Sequence, residues 1–207
     1  ICQAIVINSD KPELYKGYYV AILDSEEINA FATSGGHILI TRGLLQCTAS
    51  EDALAAVIAH EVAHIQLQHN IKAIKSSRAT NAILATASSA IKISGKEELI
   101  ELTDAFGESV NEVVNSLVNS GYSQEQEFQA DKTALNLMLN AGYNPVAMTE
   151  MLNLLKTRLG SDNTGFGKTH PSAQARLLKV NIELKAISAK DSSASRLQRF
   201  NLNMNQI

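Results

Sequence analysis

The period of the apolar positions changes once along this chain, near residue 48. Before it, residues 4–7 and 18–24 are short runs rich in Ile, Val and Tyr, and residues 28–33 alternate apolar with polar side chains. That is the pattern of half-buried strands. Ser34-Gly35-Gly36 reads as a tight turn into a further strand over 37–42. These segments predict a small antiparallel sheet within residues 3–42.

After residue 48, Leu54, Ile58, Val62 and Ile65 recur at i, i+4, i+8 and i+11, the spacing of one buried helical stripe. Thr48-Ala49-Ser50-Glu51 ahead of them has the form of a capping box, and the helix is expected to run to about Lys75. Residues 76–120 also read as helical, an amphipathic hairpin with Gly95 and Gly107 as breaks. Gly121 ends that stretch, and Ser123-Gln124-Glu125-Gln126 forms a second capping box for a helix through Asn140. Ala141-Gly142-Tyr143-Asn144-Pro145 is a stop signal, with Gly at the end and Pro beyond. A short helix follows to about Leu159, then a loop over 160–168, then a last helix from about Ser172 to Ala189. The polar tail from Lys190 is expected to fray.

The predicted fold is therefore α+β and predominantly helical. It is one domain over 1–189, with a tail over 190–207. At 207 residues and 45% apolar content the chain can bury one sizeable core. Aromatics are sparse and Trp is absent, which favours closely packed helices. A net charge of -3 gives no nucleic-acid footprint. No run approaches the ~18 apolar residues of a transmembrane helix. Cys2 and Cys47 are the only cysteines; they pair in an oxidising compartment or remain buried thiols, and neither lies in a Cys-x-x-Cys spacing.

Chemistry enters with His60-Glu61-Val62-Ala63-His64, an HExxH placed in the middle of the long helix. Residues i and i+4 lie one turn apart on one face, so two imidazoles can share one zinc while Glu61 addresses a bound water as general base. The third ligand decides the subclass. A metzincin needs Gly at 67 and His at 70, where this chain has Leu67 and Asn70. His69 lies about 140° around the helix from His64 and reads as a packing or capping histidine. A gluzincin takes a Glu from a later helix, and Glu127 is the best candidate. Asp131, at i+4 from it, faces the same way and can accept an N–H from a ligand histidine. Glu125 competes with Glu127, but it sits in the first turn, where an acid meets the helix dipole, and has no acidic partner at i+4.

HExxH with Glu127-x-x-x-Asp131 follows Asn29-Ala30-Phe31-Ala32 and the run from Gly35-Gly36-His37-Ile38-Leu39-Ile40 to Leu45, and precedes Thr169-His170-Pro171-Ser172 and Arg176. In that order, over about residues 20–180, these motifs resemble the HtpX/BepA and CAAX-prenyl-protease family of zinc endopeptidases. The resemblance implies a gluzincin core binding one Zn2+ per chain and acting on unfolded or misassembled proteins. It implies a location in the bacterial periplasm or cell envelope, with membrane proximity. It also implies an edge strand over about 37–41, here Gly36, His37, Ile38, Leu39 and Ile40, that holds extended substrate by strand addition. For His170 it implies either an oxyanion stabiliser or a plug that ligates zinc; the residues alone read equally as a helix-entry histidine before Pro. Arg176 either pairs with a site carboxylate or is solvated. His37 departs from the family pattern, as a substrate contact, a competing ligand or a polar edge side chain. By analogy, residues 76–120 roof the cleft or face a membrane; otherwise they are helical bulk.

The function expected is a zinc endopeptidase of envelope protein quality control. One competing reading is a latent zinc-bound chaperone-like or binding module closed by His170. Another is a helical interaction domain with a chance motif, which binds no metal.

Overall fold

The computed structural model describes residues 1–14, 16–72, 121–159, 167, 169–170, 173–187 and 194–204. The expected helical hairpin over 76–120 and most of the 160–168 loop lie outside them. Among the described residues the fold is mostly helical, with a three-stranded sheet at one side. The elements are α1 (Cys2–Ile7), β1 (Tyr19–Leu23), β2 (Ala30–Ala32), β3 (His37–Thr41), α2 (Arg42–Cys47), α3 (Glu51–Gln66), α4 (Gln124–Asn140), α5 (Ala147–Leu159), α6 (Ala173–Leu184) and α7 (Ala194–Met204).

The sheet order is β1-β3-β2. The turn at 34–36 joins β2 and β3 as an antiparallel pair, with Ala30 opposite Ile40 and Ala32 opposite Ile38. β1 runs parallel to β3, with Tyr19 opposite His37, so the sheet is mixed rather than wholly antiparallel. This order corrects a second expectation. β3 is the central strand, and both its edges carry strand partners over 38–40, so Gly36, His37, Ile38, Leu39 and Ile40 offer no free edge to a substrate. Gly36 adopts φ 87, where a side chain would collide with the Gly17 carbonyl. His37 is exposed and stacks on Tyr19, ring centroids 5.5 Å apart.

Residues 4–7 form part of a helix instead of a strand. Packing on α3 overrides the β preference of Ile5 and Val6, which are both buried.

α3 is buried on nearly every side, and its alanines, among them Ala55, Ala56, Ala59 and Ala63, let α4, α5, α1 and β2 approach closely. Its N-cap is Ser50, whose hydroxyl accepts from Ala53 N–H at 3.1 Å. Thr48, the expected cap, instead closes α2 by donating to Leu45 O at 2.7 Å. α3 stops at Gln66, short of Lys75, because Gln68 turns left-handed (φ 57) and residues 69–72 resume a helix beyond it. The capping box at Ser123 forms as expected: its hydroxyl accepts from Gln126 N–H, and the Gln126 side chain accepts from Ser123 N–H.

The segment expected to fray contains α7, docked on the start of α3. Phe200 is buried, and Arg199 forks onto Glu51 at 2.8 and 2.6 Å. Arg196 lies 3.2 Å from Asp52 and donates to Gly142 O at 3.1 Å. Its cations meet the two acids that open α3, a match between distant segments that local polarity could not reveal. Among the described residues no helix is long and apolar enough to cross a membrane.

Candidate metal centre

α3 presents His60 and His64 one turn apart, and α4 brings Glu127 against them from its first turn. His170, ahead of α6, completes a fully buried group of four. His60 Nε2 lies 3.0 Å from His64 Nε2 and 3.1 Å from His170 Nδ1. Glu127 Oε1 lies 3.1 Å from His170 Nδ1 and 3.3 Å from His64 Nε2, and Glu127 Oε2 lies 3.4 Å from His60 Nε2. Donors about 2.0–2.1 Å from a tetrahedral zinc stand about 3.3–3.4 Å from one another. The contacts of His60 Nε2 with His64 and His170, and of Glu127 Oε1 with His64 and His170, are at most a few tenths of an ångström shorter, and one donor atom from each of the four residues lies within 4.8 Å of the others, close enough to share one ion.

The charges agree. Glu61, Glu127 and Asp131 are buried with one guanidinium, Arg176, which leaves two negative charges in the cluster if the histidines are neutral. A divalent cation removes that imbalance. Neither oxygen of the fully buried Glu61 has a hydrogen-bond partner among the described residues; Oε1 has His170 Nε2 at 3.4 Å. A carboxylate so placed needs a further polar group, such as a water on the metal.

Asp131 and Arg176 hold this geometry from behind. Asp131 Oδ1 stands 3.0 Å from His60 Nδ1, leaving Nε2 to face the other ligands. Arg176 donates from Nε to Asp131 Oδ2 at 2.8 Å and from Nη2 to Oδ1 at 2.6 Å, while Nη1 lies 2.7 Å from Glu127 Oε2. Burial pushes the Asp131 carboxyl up, but Arg176 and His60 outweigh it and bring it down to about 2. Burial likewise raises Glu127, yet Arg176, His170 and His60 hold it well below the usual carboxylate range. For His60, burial and Arg176 oppose protonation, but Glu127 and Asp131 prevail and carry its pKa up to about 9. His64 is driven well below its ordinary value by burial and by His60 beside it. Without an ion, the acidic cluster therefore draws a proton onto His60.

Glu125 is exposed and accepts from Gln129 at 3.1 Å, and His37 is likewise outside the cluster. Two residues that lie against His64, His69 and Tyr122, were given no part in the metal centre by sequence reasoning. His69, expected only to pack or cap, is fully buried with its Nδ1 3.0 Å from His64 Nδ1; the left-handed Gln68 swings it back. Tyr122 lies flat on the His64 ring, centroids 3.8 Å apart, and its hydroxyl donates to Asn70 Oδ1. Tyr122 carries no local signal, since its partner is 52 residues away.

The chain matches the model of "Peptidase family M48" over residues 2–183. It is 30% identical to the mitochondrial metalloendopeptidase OMA1 of Schizosaccharomyces pombe over 73% of this chain and 42% of that protein. It is 30% identical to the metalloprotease LoiP of Escherichia coli over 87% of this chain and 66% of that protein. To the β-barrel assembly-enhancing protease of Escherichia coli O157:H7 it is 26% identical, over 77% of this chain. The chain thus spans between about a third and two thirds of the length of these relatives.

Proposed function

Because the chain belongs to peptidase family M48, we propose that it is a zinc-dependent endopeptidase in which His60, His64 and Glu127 hold the metal and Glu61 is the general base. The observation that supports this most strongly is the convergence of one donor atom from each of His60, His64, Glu127 and His170 to within 4.8 Å of one another, beside a buried carboxylate with no hydrogen-bond partner among the described residues. Zinc, when bound, supplies Lewis acidity towards a water and the scissile carbonyl. Glu61 takes a proton from the attacking water and returns it to the leaving nitrogen. Asp131 fixes the His60 tautomer, and Arg176 fixes Asp131 and the unshared oxygen of Glu127. His170, released from the ligand position, stabilises the oxyanion through its ring N–H.

A second reading rests on His170 itself. Its Nδ1 occupies the fourth donor position, where an open catalytic site would keep a water or substrate. In this state the centre is latent, and activity requires the histidine to leave. By analogy with relatives named for β-barrel assembly, the substrates proposed are unfolded or misassembled proteins of the bacterial envelope.

The test is metal content and peptide cleavage for the zinc-loaded chain, Glu61→Gln and His170→Ala. About one zinc per chain in all three and cleavage lost in Glu61→Gln are expected; reduced cleavage in His170→Ala marks the histidine as the oxyanion stabiliser, and equal or greater cleavage marks it only as a plug. No zinc after reconstitution would leave an interaction module with a chance motif.

A further inference from the structure

Tyr19 N–H donates to Gly36 O at 2.9 Å. In the parallel register with β3, this turns the backbone groups of Tyr19, Ala21 and Leu23 towards β3 and those of Val20 and Ile22 away from it. Among the described residues no strand pairs with that outer edge of β1.

The side chains of Val20 and Ile22 are equally uncovered. Val20 lies opposite Ile38 and Ile22 opposite Ile40, so the two continue a row that the sheet otherwise buries, with Ile38 0% and Ile40 2% exposed. Yet Val20 is 42% and Ile22 53% exposed, and Tyr19 on the other face is 54%. β1 is Tyr-Val-Ala-Ile-Leu, with no Lys or Pro to blunt it. An apolar edge with outward N–H and C=O groups is a template for a further strand.

We propose that the outer edge of β1 joins the same edge of a second copy of this chain, antiparallel, about a two-fold axis at Ala21. That register sets Val20 of each copy opposite Ile22 of the other. These are the residues whose backbone groups face outward, so each such pair exchanges both of its N–H···O bonds. Their aliphatic side chains share a face and carry the Ile38/Ile40 row across the axis. Charge selects the direction. Lys16, just before β1, is exposed. Asp24 and Glu26, just after it, have side chains 90% and 72% exposed and share one cation, Arg42, at 3.0 and 2.6 Å. Antiparallel pairing brings the Lys16 end of one copy to the acidic end of the other, whereas parallel pairing sets like against like. That self-match favours a second copy over an unrelated extended peptide. The strands are short, so the dimer is weak and reversible. The pairing does not depend on whether the chain cleaves peptides.

The test is sedimentation equilibrium of the wild-type chain, Ile22→Pro and Leu178→Ser, with oxidative cross-linking of Ala21→Cys and Tyr19→Cys. Wild-type mass should rise with concentration towards twice that of the chain. Ile22→Pro removes an outward N–H from each copy without touching a bond to β3, and should weaken association about 10-fold or more. Leu178→Ser removes an exposed apolar side chain elsewhere (61% exposed) and should change nothing. At the axis the two residues 21 come within about 4.5 Å, Cα to Cα, which a disulfide can span. Ala21→Cys should therefore cross-link into dimers, while Tyr19→Cys, displaced along the strand from its own copy, and the wild-type chain with Cys2 and Cys47 should not. A wild-type chain that stays monomeric up to about 200 µM overturns the proposal, since even a weak specific dimer forms there. So does equal cross-linking at 19 and 21, or an Ile22→Pro chain that folds and associates as the wild type does.

Discussion

Arg176 grips both oxygens of Asp131 while its remaining nitrogen lies 2.7 Å from Glu127, so one buried guanidinium joins the carboxylate behind His60 to the carboxylate beside it. Arg176→Lys keeps the charge but cannot reproduce the fork. Its zinc affinity should fall on the order of 10- to 100-fold, measured by competition with a chelator. Arg176→Met strands two buried carboxylates and should cost about 3–5 kcal/mol in denaturant unfolding of the metal-free chain. Unchanged zinc affinity in Arg176→Lys would show that the fork orients nothing.

Metal-free protein should be sensitive to alkali. The folded pKa of His60 is raised from 6.5 to about 9. Its stabilising effect is then full below pH 6.5 and disappears as pH rises through 9. The Tm of the metal-free chain should drop by roughly 5 °C between pH 6.5 and 10. The zinc-loaded chain should lack that drop, because the ion replaces the proton. A flat metal-free profile would place the proton elsewhere.

Gly43 sits where any side chain would meet the backbone of Glu26 and Glu27, and its N–H donates to Ser25 O at 2.9 Å. Gly43→Ala must push that loop away from Thr41, whose hydroxyl bonds to Glu27 O and Asn29 O. A loss of about 1–3 kcal/mol is expected in chemical unfolding. Wild-type stability would mean the loop yields freely.

Phe200 is the buried anchor of α7. Phe200→Ala should cost about 3 kcal/mol and speed hydrogen exchange in α7 and in the first turn of α3 together. Exchange quickening in α7 alone would show that the two helices are not coupled.

Chemistry was legible in the sequence where it was local. HExxH and the Glu127/Asp131 pair each lie within one helical turn, and the Ser123 capping box within four residues, so spacing alone placed them on common faces. Pairing across the chain was not legible. The turn at 34–36 announced β2 against β3, but nothing near Tyr19 says that β1 joins β3 from the other side and makes it central. His69 was placed by extrapolating a helix that Gln68 interrupts. Asn70, Tyr122 and α7 depend on partners 38 to 148 residues away, beyond the reach of any periodicity.

The two histidines of α3 lean on different supports: His60 on the Asp131 carboxylate, His64 on the uncharged ring of His69, whose own basicity burial depresses. An anion behind an imidazole strengthens its lone pair more than a neutral ring does. An ion bound between them would therefore be held unequally, and in exchange with a competing chelator the bond to His64 should yield first.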